Sequence, residues 1–375
     1  MKLTVDAKAF GAALAIAGRV IPTKTPWPVI MNIHLRAEGT SVTLRGTNAD
    51  TTYEADVAAE VEMPGEAVIP FATLAKFFSA AKGDSLSIEI EDSKATVKCG
   101  RGRIVLSSMS GADFPNYAAA SGDLVSLDGE TFLKALRFCS AAVMPSELKY
   151  HIAGVNISEA DGWLDLWGTD GKIAHHAKLV GVSHVGGGGQ LTLDAIAVIA
   201  SIADKADAVS FMICETGWHL NVGSVRAWGK VIDARYPDME RALSAFGDWE
   251  NVANAEAGDV AQALDVAICG ADTNSDKTRH IVLRCTDKMA LRGYKPGFGT
   301  ITAGRVEVDA EINAETAIAL NADYLRASLL GIGGGVSISR SGDALRVEPR
   351  QLSATLPVEA TIFAIRASEA ELADV

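Results

Sequence analysis

The sequence predicts an α+β fold made of three similar domains, each with two helices packed on antiparallel sheets. One observation is that segments with helical periodicity recur about every third of the chain. A second is that each such segment is followed by residues with strand-like alternation that end in a glycine. These glycines are Gly46, Gly168 and Gly293, so 122 and 125 residues separate them. This near-equal spacing indicates an internal repeat.

The first element of each third is an amphipathic helix. Apolar residues recur at positions i, i+3, i+4 and i+7 in residues 7–21, 129–143 and 257–271. This period places the apolar side chains on one face of each helix, which predicts that the helix packs on a sheet.

The next elements are strands. Residues 32–47, 154–169 and 280–294 alternate apolar and polar side chains, as half-buried strands do. We interpret the glycine near the end of each stretch as a turn residue. Gly186–Gly189 and Gly333–Gly335 lack the Gly-Lys-Ser/Thr sequence of a phosphate-binding loop, so we expect them to form flexible connections or tight turns.

A second helix and further strands complete each third. The helices are predicted at residues 71–82, 193–206 and 321–331. The strands that follow them are predicted at 85–91 and 94–99, at 208–214 and 219–222, and at 335–340 and 344–347. Polar or small residues lie between the thirds, so we place the domains at 1–122, 123–249 and 250–375, the last with an acidic tail at 368–375.

The charge balance is acidic. The 375 residues include 34 Lys and Arg against 47 Asp and Glu, which gives a formal net charge of −13. This argues against a protein that binds nucleic acid over its whole outer surface. Any positive charge that faces DNA must therefore be gathered in one place.

The sequence offers no pattern for catalysis or metal binding. The five cysteines are scattered and are expected to be buried free thiols, and His175 and His176 should point to opposite faces of a strand. No Gly-x-Ser-x-Gly motif occurs. We therefore expect no metal, no cofactor and no enzymatic activity. An enzyme with an unrecognised acidic active site, or a repeat-built interaction protein that does not bind DNA, remains an alternative.

Asp6 and Arg19 interrupt any apolar leader at the start of the sequence, and no run of 18 apolar residues follows. The expected location is the cytoplasm.

Several short stretches resemble the bacterial beta sliding clamp, the processivity subunit of the replicative DNA polymerase. They are Met1-Lys2-Leu3-Thr4-Val5, residues 100–117 with Ala112-Asp113-Phe114-Pro115-Asn116, Thr169-Asp170-Gly171, and Tyr236-Pro237-Asp238. The resemblance follows the whole chain in order. It implies the DNA clamp fold, with two chains joined head to tail in a six-domain ring around double-stranded DNA. It also implies that the ring binds DNA topologically and without sequence specificity. Polymerase and clamp loader would bind through a linear peptide motif.

The resemblance assigns residues to DNA and to the dimer seam. Lys24 and the cluster Lys149-Tyr150-His151 match positions that contact DNA in such clamps. On charge alone we add the helix bases Arg19, Lys134, Arg137, Lys205 and Arg326. The seam would involve Ile104 and Leu106 of the first domain, with Lys76, and Ile268 and Cys269 of the third.

The resemblance also implies a pocket for the partner peptide between the second and third domains. The matching positions are Ile152, Thr169, Gly171, Lys172, Ile173, Ala174, Pro237, Arg241, Ala242, Phe363, Ala364, Ile365 and Arg366. The family commonly has His-Arg-Leu where this chain has Lys172-Ile173-Ala174, and it normally ends before residue 368. We therefore expect a pocket matched to a different partner peptide, and a tail that folds back over this pocket.

Overall fold

The computed structural model describes residues 1–144, 147–182, 184–269, 279–294, 305–351 and 356–363. Contacts between these residues divide the chain into two units. The first unit consists of Met1–Glu130, Val185–Gly189 and Asp194–Val231, and the second of Thr131–His184, Gln190–Leu193 and Ile232–Val375.

The elements follow the same order in each third of the chain. The first third contains β1 (Lys2–Asp6), α1 (Ala7–Val20), β2 (Asn32–Glu38), β3 (Ser41–Thr47), β4 (Thr51–Met63), β5 (Gly65–Pro70), α2 (Phe71–Ala80), β6 (Ser85–Glu91), β7 (Lys94–Cys99), β8 (Gly102–Ser107) and β9 (Met109–Ser110). The second contains β10 (Val125–Asp128), α3 (Gly129–Ser140), β11 (Gly154–Ala160), β12 (Trp163–Thr169), β13 (Ile173–Val180), β14 (Gly188–Thr192), α4 (Leu193–Ala203), β15 (Ala208–Cys214), β16 (Gly217–Val222) and β17 (Val225–Gly229).

The last third repeats this order after one short additional helix. It contains α5 (Met239–Leu243), β18 (Glu250–Glu256), α6 (Ala257–Ile268), β19 (His280–Cys285), β20 (Met289–Tyr294), β21 (Arg305–Val308), β22 (Ala310–Ile312), β23 (Thr316–Asn321), α7 (Ala322–Ile332), β24 (Gly335–Ser341), β25 (Ala344–Pro349) and β26 (Val358–Phe363). All six predicted helices are present, and the predicted α+β fold is confirmed.

Local interactions explain where the helices begin and end. The Asp6 carboxylate accepts a hydrogen bond from the backbone N–H of Ala9 at 2.7 Å, which caps α1. Asn321 caps α7 in the same way through the N–H of Asp323, at 2.9 Å. Helix α7 ends at Gly333, whose φ of 66° lies in the left-handed region that favours glycine.

The first unit is built on one sheet of 13 strands. Its main path runs β10-β15-β16-β17-β4-β1-β6-β7-β8, and β2, β3, β5 and β9 branch from it. Strand β4 joins the strands of the first third to those of the second. It pairs with β17 through Thr51–Ala55 and with β1 through Ala59–Met63. Strands of the first and second thirds therefore share a sheet.

The second unit has a sheet of nine strands and a sheet of four. The nine strands run β14-β11-β12-β13-β26-β25-β24-β18-β22, and the four run β21-β20-β19-β23. Helices α6 and α7 contribute Leu264 and Leu325 to a core that also contains Leu283 of β19 and Ile338 of β24. This unit thus combines strands of the second and third thirds, whereas the domain division at residues 122 and 249 remains a prediction from the repeat.

The repeated glycines do not form turns, so this interpretation was wrong. Gly46, Gly168 and Gly293 lie inside β3, β12 and β20. A Cβ on Gly46 would lie 2.8 Å from Cγ1 of Ile21, and one on Gly168 would collide with the backbone carbonyl of Cys139. The absence of a side chain at Gly46 therefore lets the end of α1 lie directly on β3, and its absence at Gly168 lets the end of α3 lie directly on β12.

The glycine runs lie only partly in connections: Gly186 and Gly187 precede β14, which begins at Gly188, and Gly333 and Gly334 connect α7 to β24, which begins at Gly335. Gly186, Gly187, Gly188, Gly333 and Gly334 all have positive φ values. Within the described ranges, no helix is both long and apolar enough to span a membrane.

Candidate functional site

A basic groove runs between α3 and α7 in the second unit. The groove has a volume of about 1450 Å³ and is lined by four bases, Lys134, Arg137, Arg326 and Arg350, and by two acids, Glu256 and Asp323. In a chain with a net charge of −13, this surplus of bases makes the groove a local concentration of positive charge.

The sequence of α3 explains why two bases face the groove. Phe132, Leu133, Leu136 and Cys139 are buried, whereas Lys134 and Arg137 are exposed and lie three residues apart on the opposite face. Gly331 of α7 allows the two helices to meet, because a Cβ at this position would collide with the Phe138 ring.

Arg326 reaches the groove from α7, but its charge is shared. Its Nη1 lies 2.9 Å from Oδ1 of Asp265 on α6, and the side chain is 43% exposed. Arg350 lies just after β25, and its Nη2 is 3.2 Å from Oε2 of Glu311. Arg350 lies outside the predicted helices, so the charges on those helices could not indicate it.

The other residues assigned to DNA lie elsewhere. Arg19 is exposed in the last turn of α1, and Lys24 is exposed in the loop after it. Lys205 is exposed after α4 with a φ of 63°. These three belong to the first unit, whereas Lys134, Arg137 and Arg326 line one groove of the second.

Lys149, Tyr150 and His151 lie on a short 3-10 segment, Glu147–Ile152, and all three are exposed. Tyr150 is 53% exposed, and the neighbouring Leu148 is 96% exposed. Despite its exposure, the Lys149 ammonium donates a hydrogen bond to the backbone carbonyl of Asp170 at 2.7 Å. This contact joins the segment assigned to DNA to the turn assigned to the peptide pocket.

The turn between β12 and β13 is held from several sides. Thr169 donates to the carbonyl of Ile173 at 2.6 Å and accepts from the N–H of Gly171 at 3.0 Å. Asp170 Oδ1 accepts from the N–H groups of Lys172 and Ile173, and Tyr324 of α7 donates to Oδ2 at 2.5 Å. The turn therefore has one defined shape that depends on α7.

An apolar cluster lies next to this turn. Trp167, Ala174, Met239 and Leu243 are buried together, with Tyr236 and Phe246 packed against them. Asp238 caps α5 by accepting from the N–H of Arg241 at 2.9 Å. Pro237, Arg241 and Ala242 are exposed on the same segment. Residues assigned to the pocket thus lie on both β13 and α5, around an apolar base.

Ile173 lies on the opposite face of β13 from Ala174. It belongs to the core with Leu264 and Leu325, because successive strand residues point to opposite faces. Ile173 therefore fixes the end of the turn by packing in the core of the second unit. Ile152 is also buried, whereas Gly171 and Lys172 are exposed. Phe363 ends β26; Ala364, Ile365, Arg366 and the tail at 368–375 lie outside the described residues.

The residues assigned to the dimer seam lie near sheet and helix ends. Strand β8 is the terminal strand of the 13-stranded sheet, with Leu106 buried, Ile104 partly buried and Val105 53% exposed. Lys76 is exposed on α2. In the second unit, Ile268 ends α6 and is partly buried.

Cys269 follows Ile268 and is exposed, and Cys214 is only partly buried, so the expectation that all five thiols are buried was wrong. The reason is that Cys269 comes directly after the last turn of α6, beyond the buried stripe of that helix.

The two adjacent histidines have separate structural roles. The His175 imidazole is fully buried, and its Nδ1 donates to the carbonyl of Phe138 at 2.6 Å. Burial lowers the pKa of His175 to about 4. His176 faces the other side of the strand and lies between Asp165 and Glu359. Among the described residues, no group of acids, histidines and cysteines is arranged to hold a metal ion.

Comparison with known proteins shows what the chain is similar to. Residues 1–118 match the family described as DNA polymerase III beta subunit, N-terminal domain. The beta sliding clamp of Pseudomonas putida is 25% identical over 262 residues, which cover 66% of this chain and 69% of that protein. The beta sliding clamp of Caulobacter vibrioides is 24% identical over 344 residues, covering 87% of this chain and 89% of that protein.

Solved structures are similar over almost the whole chain. The Caulobacter crescentus beta sliding clamp has a TM-score of 0.87 at 20% identity and covers 98% of this chain and 99% of its own. The DNA polymerase III subunit beta of Pseudomonas aeruginosa also has a TM-score of 0.87, at 21% identity, with 98% and 100% covered. The fold is therefore shared along the full length.

Proposed function

We infer that this chain, a divergent member of the bacterial beta sliding clamp family, is a DNA sliding clamp that serves replication. Two copies would close head to tail into a ring around duplex DNA. The ring would tether the replicative polymerase and would itself catalyse no reaction. Its partners are double-stranded DNA, a second copy of the chain, and the polymerase and clamp loader.

The bases that line the groove between α3 and α7 are the main observation in support of this proposal. Four of its lining side chains are bases in a chain with 13 more acids than bases. Lysine and arginine bind phosphates without reading bases, and such contacts let a protein slide. The acidic remainder of the chain would repel DNA from the outer surface, so that the duplex is held only where the bases lie.

Binding to partners would use the apolar cluster beside the Thr169–Ile173 turn. Trp167, Ala174, Met239 and Leu243 provide an apolar base, and Arg241 and Lys172 provide polar groups at its rim. A linear peptide with one large apolar anchor fits such a surface, since buried anchors supply most of the affinity of small interfaces.

Ring closure would use exposed strand edges. Strand β8 ends the 13-stranded sheet, and β21 ends the four-stranded sheet. Unpaired edge strands form backbone hydrogen bonds readily with another chain. Pairing of β8 in one copy with β21 in the next would join the chains head to tail.

Topological retention tests the proposed function. The protein is mixed with nicked circular plasmid at low salt, the salt is raised, and protein that stays with the DNA is measured by gel filtration before and after the plasmid is linearised. A ring of about twice 39.3 kDa should remain on the circle and leave once an end is available. Equal loss from circular and linear DNA would falsify the clamp function.

A further inference from the structure

A cavity of about 420 Å³ lies under α5 and the residues that follow it. Three aromatic side chains, Trp167, Phe246 and Trp249, line it together with six ionisable ones, which are the bases His176, Lys178 and Arg346 and the acids Glu240, Glu348 and Glu359. We call this space the Glu348 cavity. Its size falls within the range of ligand pockets. It shares Trp167, Leu243 and Phe246 with the apolar cluster, and its charged walls are what it has in addition.

Strand register shows how the Glu348 cavity relates to the peptide pocket. Trp167 pairs with His176, and His176 pairs with Glu359. Continuing the pairing of β25 with β26 places Glu348 opposite Glu359. These four residues form one row across four strands.

The next row on the same face belongs to the peptide pocket. It consists of Thr169, Ala174, Thr361 and Arg346, which pair in that order across the same strands. Thr169 and Ala174 are two of the positions assigned to the peptide. Since adjacent rows are two residues apart along each strand, they are separated by roughly 7 Å. A peptide anchored on the second row therefore brings a neighbouring side chain to the first.

Most charges around the cavity already have partners. His176 donates to Asp165 at 2.7 Å and to Glu359 at 3.2 Å. The Arg346 guanidinium lies 4.1 Å from the centre of the Trp249 ring, with its Nε 3.9 Å from Glu359. The His176 ring is parallel to Trp167, with the ring centres 3.7 Å apart, and the Lys178 ammonium lies 4.7 Å from the centre of the Trp163 ring. The three cations that line the cavity are thus each stacked on an aromatic ring.

Glu348 differs from these groups, because its side-chain partner is another acid, Glu359. Within the described part of the chain, no cation lies within ion-pair distance of its carboxylate, and the residue directly opposite is another acid. Burial, the charge of Glu359 and a side-chain hydrogen bond with Glu359 raise the pKa of Glu348, against the opposing effect of the Arg346 charge. Like charges opposite each other in a sheet are destabilising, so a cation that entered the cavity would be stabilised there.

We propose that the Glu348 cavity receives a lysine or arginine side chain from the partner peptide, next to the apolar anchor that occupies the Thr169–Ala174 row. The amino group would donate to Glu348, and the aliphatic part of the side chain would pack on Phe246 and Trp249. This specificity rests on the proposed function, because it assumes that this face binds a peptide. It also gives a physical basis for a partner motif different from the common one.

Peptide binding tests the cavity. The probe is the common clamp-binding pentapeptide, extended by one residue at its amino end in one set and at its carboxyl end in another. The added residue is lysine, uncharged norleucine or glutamate. Affinity is measured by fluorescence anisotropy at pH 7.5 in low salt. In one of the two sets, the wild type should bind the lysine peptide about fivefold to tenfold more tightly than the norleucine peptide.

Two variants make the test specific. Glu348→Gln should reduce this ratio to less than about twofold, while its thermal stability should equal or exceed that of the wild type, because a like-charge pair is removed. Glu62→Gln removes an exposed carboxylate that is paired with Lys2 in the first unit, and it should keep the full preference.

Three results would overturn the proposal: no preference for lysine in either set, a preference that persists in Glu348→Gln, or no binding of any lysine peptide. None of these results bears on retention of the ring on circular DNA. That experiment tests the clamp function separately.

Discussion

His175 and His176 follow one another in β13, and their imidazoles require opposite protonation states. The His175 Nδ1–H donates to the Phe138 carbonyl at 2.6 Å, and Nε2 lies 3.0 Å from the Ser328 hydroxyl. Both nitrogens of His176 instead face carboxylates, so both must donate. Strand alternation therefore places a neutral histidine and a charged one in adjacent positions.

Acidification should destabilise the protein through His175. Burial lowers its pKa from 6.5 to about 4 in the folded state, so the unfolded chain takes up the proton first. Stability then decreases as the pH falls from 6.5 to 4, by up to about 3 kcal/mol. Urea unfolding of the wild type and His175→Gln at pH 4.5, 5.5 and 7 measures this.

The variant should be less stable at pH 7, yet its stability should decrease less than that of the wild type on acidification. His184→Gln is the control, because that side chain is 69% exposed. Equal pH dependence of the wild type and His175→Gln would contradict a neutral buried His175.

His176 should act in the opposite direction. Burial lowers its pKa, but the hydrogen bonds and charges of Asp165 and Glu359 outweigh burial and raise the pKa above 6.5. A raised pKa stabilises the fold fully below pH 6.5, and this stabilisation disappears as the pH rises through the folded value. The difference in free energy of unfolding between wild type and His176→Gln should therefore be larger at pH 6 than at pH 9. Nuclear magnetic resonance titration of the imidazole gives an independent measurement, and a pKa below 6.5 would exclude this explanation.

Features that depend on neighbouring residues could be predicted from the sequence, whereas features that depend on contacts between distant residues could not. Periodicity finds α1, α3 and α6, because a helix with one apolar face shows this in neighbouring residues. Helix α5 has five residues, too few for a periodic pattern. The partners of His175 are 37 and 153 residues away, so no local pattern indicates them.

The same contrast applies to the candidate site, where only the residues with a local sequence signal could be predicted. Lys134 and Arg137 are found from helix charge alone, and the turn at Thr169 from its short motif. Arg350 and the row that ends at Glu348 depend on which strands pair, which the sequence does not specify. The recurring glycines lie at matching positions in β3, β12 and β20, and Gly46 and Gly168 are required by the close approach of a helix end, which the sequence does not specify.

Substitution of the strand glycines should produce graded decreases in stability. Gly168→Ala places a Cβ against the Cys139 backbone, which cannot move without displacing α3, so a decrease of about 2–4 kcal/mol is expected. Gly46→Ala meets the flexible Ile21 side chain and should cost about 1 kcal/mol. Chemical denaturation measures both.

Gly258→Ala is the control, because among the described residues no atom beyond its chain neighbours and the backbone of α6 lies within 4 Å of the new Cβ. It should be neutral or stabilising by up to about 1 kcal/mol. Similar decreases at all three positions would show that the nearby helix end is not the reason for glycine.

Removal of bases from the groove should weaken DNA binding in a salt-dependent way. For each phosphate that the protein no longer neutralises, the slope of log affinity against log salt should become shallower by about 0.9. Lys134→Gln combined with Arg137→Gln should therefore reduce the slope by up to about 2. Binding to short linear duplexes between about 50 and 200 mM salt gives this slope.

Lys288→Gln is the matched control, since Lys288 is exposed but lies outside the groove. An unchanged slope in the double variant would indicate that α3 does not touch DNA.

The Tyr324 hydroxyl should maintain the shape of the proposed peptide pocket. It donates to Asp170 Oδ2 at 2.5 Å, while Oδ1 holds the N–H groups of Lys172 and Ile173. Asp170 is only 7% exposed, so removal of this donor leaves a largely buried carboxylate short of one hydrogen bond. Tyr324→Phe should reduce the free energy of unfolding by about 1–3 kcal/mol. A looser turn should also weaken peptide binding severalfold.

A second tyrosine separates the effect on the pocket from the effect on stability. Tyr53 is fully buried in the first unit and donates to the Ala13 carbonyl at 2.9 Å. Tyr53→Phe should therefore lower stability by a similar amount and leave peptide affinity unchanged. If both variants weaken peptide binding equally, the effect comes from general destabilisation. If Tyr324→Phe alone does so, α7 fixes the turn through Asp170, and a helix from the last third of the chain determines the shape of the proposed peptide pocket.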